Sequence, residues 1–143
     1  MEEFLLQILF PPKTDIVIIP LKLGYKKIAG GYNYVRYDEQ LYKKVVAGKK
    51  FDLILIDSPF GDQKKRFSKF YSRIDILDYL PQCLCDNFAI VIDDYNRKGE
   101  QNLVYEVEKS LSDANIEFMK GTYAGETVLC VIASKEWGFL CTL

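Results

Sequence analysis

Two short apolar runs constrain this chain most: Phe51 to Asp57 (FDLILID) and Phe88 to Asp93 (FAIVID). Both are nearly continuous, both are short for a buried helix, and both end in an acid. Runs of this kind suit strands covered on both faces, the environment of a parallel sheet. Helical patterns alternate with them. One helix is expected from Glu39 to Val46, capped by Asp38 and stopped at Gly48. Ser72 opens another, with Asp75 in its first turn, Ile74, Leu77 and Leu80 inward, and Pro81 near its end. The clearest helix runs from Gly99 to Ala114, where Leu103, Val104, Val107 and Leu111 form one stripe.

The flanks complete the order. Phe4, Leu5, Ile8 and Leu9 fall at helical spacing before Pro11-Pro12. Asp15 to Leu21 reads as a strand ending near Pro20. Residues 24 to 37, broken by Gly24, Gly30, Gly31 and Asn33 and crowded with Tyr, read as a loop. Ile116 to Tyr123 and Thr127 to Ser134 read as an antiparallel hairpin, and the tail from Trp137 packs on the sheet. The expected class is α/β: a single domain over 1–143 with a mostly parallel sheet and a C-terminal antiparallel hairpin.

A hydrophobic share of 49% is ample for one core, and a net charge of -1 gives no global attraction to nucleic acid. The chain has 4 Cys, no His and no CxxC pair, so a zinc site is a poor match. Cys83, Cys85, Cys130 and Cys141 read as reduced thiols, with Cys85 near a helix end. The acidic N-terminus is no signal peptide, and no apolar run is long enough to span a bilayer. A cytoplasmic protein is expected.

Ligands of open α/β sheets bind beyond the carboxyl ends of the strands. Asp57 lies at the first such end, and Asp93 and Asp94 lie at the second. Together they either hold a divalent ion through hard oxygen ligands, or cap the following turns, with Asp93 or Asp94 paired to Arg73 or Arg97. Lys64, Lys65, Arg66, Lys69 and Arg73, interleaved with Phe67, Phe70 and Tyr71, form either a solvated loop or an anion-binding patch. Tyr25, Tyr32, Tyr34, Tyr37 and Tyr42 form a substrate wall, a lid or an interface.

Taken in order, Ile56-Asp57-Ser58-Pro59, Ser72-Arg73 and Asp93-Asp94-Tyr95-Asn96-Arg97-Lys98-Gly99-Glu100 resemble class I S-adenosylmethionine-dependent methyltransferases, which are Rossmann-like. In the nearest look-alikes the first motif is Ile-Asp-Gly-Pro, so Ser58 stands for Gly. The resemblance covers residues 15 to 143. It implies a sheet of family order 3-2-1-4-5-7-6, with Asp15–Leu21 as the third strand and the two apolar runs as the fourth and fifth. It implies Asp57 or Asp94 as the catalytic group, Arg73, Tyr95 and Arg97 on the substrate side, and Asp57, Asp93 and Asp94 around an ion such as Mg²⁺. In the cation-dependent branch the last of these three is commonly Asn, and here it is Asp94.

The family grips S-adenosylmethionine with a Gly-rich turn after its first strand and an acid after its second. Only 14 residues precede Asp15, and Gly30-Gly31 neither follows a buried strand nor opens a helix. The expectation is therefore a fold truncated relative to the family. Its function would be that of a methyltransferase-like protein acting on a small molecule or saccharide, with impaired cofactor binding. The alternatives are a non-catalytic remnant, half of a split enzyme, an interaction module or a phosphate-binding module. Loss of the first two strands would bare an apolar edge, so a homodimer or larger assembly is expected.

Overall fold

The computed structural model of the chain describes residues 17–26, 32–57 and 73–142. Its elements are β1 (Leu21–Lys26), β2 (Tyr32–Tyr37), α1 (Glu39–Val46), β3 (Phe51–Ile56), β4 (Leu84–Ile92), α2 (Lys98–Asp113), β5 (Phe118–Ala124) and β6 (Val128–Ser134). Short 3₁₀ segments cover Ile74–Asp78 and Lys135–Cys141. The class is mixed α/β, with a four-stranded sheet of order β3-β4-β6-β5 and a separate antiparallel pair, β1-β2.

The main sheet is less parallel than its sequence implies. β3 and β4 pair in parallel, but β4-β6 and β5-β6 pair antiparallel. β3, β4 and β5 therefore run one way and β6 runs between β4 and β5 the other way. The C-terminal hairpin forms as expected and adds an antiparallel edge, with β6 beside β4 and β5 at the rim.

Pleating sorts the side chains by face. Phe88, Ile90 and Ile92 of β4 join Cys130 and Ile132 of β6 in one buried cluster with Leu103, Val104, Val107 and Leu111 of α2. The expected stripe of α2 is thus the helical side of the core. Register puts Ala89 opposite Ala133 and Val91 opposite Val131 on the other face. There the tail segment packs against β4, β5 and β6. Tyr123 donates its hydroxyl hydrogen to the carbonyl of Leu140, and Cys141 Sγ lies 3.6 Å from the Val131 carbonyl oxygen.

That cover does not extend to all of β3. Leu53 and Leu55 lie opposite Ala89 and Val91, on the tail's face, and are 57% and 67% exposed. The strand is buried on its α2 side only, through Ile54 and Ile56, so the expectation of burial on both faces fails here.

Four other local expectations change. Residues 17–20 carry no regular structure, and Asp15 and Ile16 lie outside the described residues, so Asp15–Leu21 does not form the expected strand. Pro20 has no N–H for a ladder; its carbonyl accepts from Asp38 N at 2.8 Å, at the entry to α1. Of the stretch expected as a loop, residues 24–26 and 32–37 are strand, because β1 and β2 pair from Leu21↔Tyr37 to Lys26↔Tyr32. The Tyr and Val that crowd this stretch favour strands, while Gly30-Gly31 lies outside the described residues. The helix expected from Ser72 is a five-residue 3₁₀ turn whose N-cap is Arg73 at φ 56°, without a side-chain cap. Cys85 lies in β4, which starts earlier than its apolar run. The helix expected over residues 4–9 and the basic-aromatic stretch at 64–71 also lie outside the described residues.

Asp38 caps α1 as its sequence implies, accepting from Leu41 N at 3.0 Å, and Gly48 follows at φ +75°. All four Cys are free. Among the described residues, no helix is long and apolar enough to cross a membrane.

The tail's seat is testable at two glycines. A Cβ on Gly121 would collide with the backbone of Cys141, whereas one on Gly138 would meet the movable thioether of Met119. Gly121→Ala is expected to cost roughly 1–3 kcal/mol by overpacking, read as a lower urea midpoint. Gly138→Ala should cost clearly less. Equal midpoints for wild type and Gly121→Ala would show that the tail is not seated there.

Candidate functional site at the ends of β3 and β4

Register alone brings the acids together. Ile56 and Ile92 are parallel partners, so the next residues, Asp57 and Asp93, leave the sheet side by side. Asp93 N donates to Ile56 O at 3.1 Å, which carries the ladder one step beyond the strand. Asp94 then adopts φ 58°, a conformation that Asp tolerates better than most side chains. Its carbonyl accepts from Arg97 N at 2.8 Å, and this turn leads into α2. Carboxylate oxygens of Asp57, Asp93 and Asp94 lie within 4.8 Å of one another.

Arg73 fills the centre. Its side chain is fully buried. Nη1 donates to Asp93 O at 2.9 Å and Nη2 to Asp94 Oδ2 at 2.8 Å. Nη2 also lies 3.7 Å from Asp57 Oδ1, and Nε lies 3.5 Å from Glu100 Oε1. Arg97 reaches the same Asp94 Oδ2 at 2.8 Å from the solvent side. The pairing of Asp94 with Arg73 or Arg97 is thus a pairing with both. Tyr95 is partly buried against the core, and its N–H donates to Val128 O at 2.8 Å.

Asp93 is held differently. Its Oδ1 accepts from Thr127 Oγ1 at 2.6 Å and from Asp94 N at 2.7 Å. The Thr127 hydroxyl foremost, then the Asp94 amide, hold the Asp93 carboxyl below its ordinary value of 3.8. Asp57 is the solvent-facing member, with its side chain 66% exposed.

Two participants escape the sequence reading. Glu100 stands in the quoted motif, but only the fold shows that it is buried against Arg73. Thr127 carries no local signal at all; it arrives through the β5-β6 turn.

The donor set has the right chemistry for a hard divalent ion. Much of it is engaged, however: two guanidinium groups share Asp94 Oδ2, and a hydroxyl and an amide share Asp93 Oδ1. Among the described residues, no Gly-rich turn lies between a buried strand and a helix. No protein-family model, curated protein or solved structure matches the chain.

The depressed Asp93 value gives a pH signature. A carboxyl held below its unfolded value stabilises the fold above that value, and the contribution is lost as pH falls through the folded value. The window here lies on the acid side of 3.8. In Thr127→Val, carboxyl ¹³C titration by NMR should show the Asp93 value moving up towards the ordinary one, with acid unfolding beginning at higher pH. An unchanged Asp93 titration would remove Thr127 as the principal cause.

Proposed function

We propose that the chain is a methyltransferase-like domain. In this reading it handles a small polar molecule or saccharide at the ends of β3 and β4 and does not grip S-adenosylmethionine on its own. The observation that carries this is the order β3-β4-β6-β5, with β6 alone reversed. It coincides with the last four places, 4-5-7-6, of the family order. The acids at the ends of β3 and β4 also coincide with the positions at which the resemblance puts its catalytic and metal-binding groups. Asp57 is then the group that meets substrate, since Asp94 is committed to Arg73 and Arg97. Arg73 is a positioning residue, and Arg97 and Tyr95 border the substrate side. Mg²⁺ or a similar ion would supply Lewis acidity next to Asp57 and Asp93. The four free thiols fit a cytoplasmic setting.

A second reading, an interaction module that assembles as a homodimer or larger, is favoured by Leu53 and Leu55. Both are exposed on a strand whose outer edge pairs with no described strand.

Isothermal titration of S-adenosylhomocysteine, with and without Mg²⁺, tests the first reading. No heat is expected at about 1 mM ligand, the weak end of specific affinity. Binding a thousandfold tighter would overturn the claim that the chain lacks its own cofactor grip. Light scattering on the same sample tests the second reading, for which a monomer would be the contrary result.

A further inference from the structure

A cavity of about 380 Å³ opens beside Asp57, apart from the carboxylates of Asp93 and Asp94. Its walls come from elements distant in sequence: Val17 and Ile19 ahead of β1, Tyr37 of β2, Tyr42 of α1 and Leu55 of β3. The two tyrosine rings stack with centroids 5.4 Å apart and planes within 6°. Arg73 also lines it, its charge bonded at 2.8 Å by Asp94 and faced at longer range by Glu100 and Asp57. Asp75, also in the lining, is engaged by Arg36 Nε at 3.3 Å. Asp57 remains as the solvent-facing acid at the mouth.

The chemistry of this cavity favours one kind of occupant. Its volume lies in the range of small-molecule pockets, which are largely apolar with a few placed polar groups. Apolar surface stands exposed at its rim, with Val17 at 55% and Leu55 at 67%. Asp57, with its side chain 66% exposed, offers a carboxylate to an entering ligand. A carboxylate next to aromatic rings attracts a cation through both charge and ring quadrupole.

We propose that this cavity binds a flat-ringed small molecule bearing a cationic nitrogen, with the ring between residues 17–19 and the tyrosine pair and the nitrogen on Asp57. The inference deepens the strand-end reading above and rests on it for Asp57 alone.

Benzamidine is the probe, with benzoate and benzyl alcohol as its anionic and neutral counterparts. Calorimetry should give a benzamidine Kd of about 1 mM or tighter, with benzoate and benzyl alcohol weaker by about tenfold, the worth of one charge-assisted hydrogen bond. Methyl NMR should place the shifts on Ile19 and Leu55. Asp57→Asn should lose about tenfold. Val17→Lys, which sets a like charge at an exposed rim position, should lose a similar factor without disturbing the core. Asp113→Asn, at the end of α2 in a groove shared with Leu77 and Pro81 and apart from this cavity, should bind as wild type does. Benzoate binding as tightly as benzamidine, shifts elsewhere, or undiminished affinity in Asp57→Asn and Val17→Lys would each overturn the proposal. The readout needs no cofactor, so its failure is separable from the outcome with S-adenosylhomocysteine.

Discussion

The buried guanidinium of Arg73 is the interaction on which the rest of this structure turns. Moving such a group out of water costs several kcal/mol unless charge and hydrogen bonds compensate it. Here the compensation comes from three directions: the Asp93 carbonyl and Asp94 carboxylate beyond β4, Asp57 beyond β3, and Glu100 in the first turn of α2. One side chain therefore locks both parallel strand ends to the start of the core helix. Arg73 and Asp94, the two partners of that contact, both sit at positive φ. Such backbone costs of order 1–3 kcal/mol each, and persists where surrounding structure over-determines it.

The same short turn holds the second sheet. Asp75, two residues on and also buried, accepts from Tyr37 N at 3.3 Å and faces Arg36 at 3.3 Å. Arg73 thus serves the main sheet and Asp75 the β1-β2 pair, two residues apart at the start of one 3₁₀ segment. The segment is shorter than the helix that its apolar spacing implies, and it starts from a left-handed Arg73 without a side-chain cap. A regular helix from Ser72 would need Arg73 at ordinary helical φ, and Arg73 sits at φ 56° instead.

What the sequence revealed and what it hid divide along physical lines. The α2 stripe, the Asp38 cap, the C-terminal hairpin and the seating of the tail were legible, because each follows from local periodicity or turn chemistry. The approach of Asp57 to Asp93 and Asp94 was legible too, since acids at the ends of two parallel neighbours must converge. The β1-β2 pair was hidden by its glycines, whose breaker signal outweighed the strand preference of the tyrosines between them. The exposure of Leu53 and Leu55 was hidden because an apolar run reports burial potential, not which face receives cover. Thr127 and Glu100 reach their partners through tertiary contacts that no spacing in the chain encodes.

The cluster treats its acids unequally, and that inequality bears on what the site can do. Two guanidinium groups occupy one oxygen of Asp94, so a ligand there would have to compete with charge-assisted bonds, the stronger class of hydrogen bond. Asp93 divides its bonding between Thr127 and a backbone amide, which fixes its position more than it opens it to solvent. Asp57 lies 3.7 Å from Arg73, beyond hydrogen-bond range, and keeps most of its carboxylate in water. It also borders the cavity walled by Tyr37, Tyr42 and β3. The buried Asp94 and the half-buried Asp93 thus act as the framework of the strand ends, and the exposed Asp57 is left to meet whatever enters.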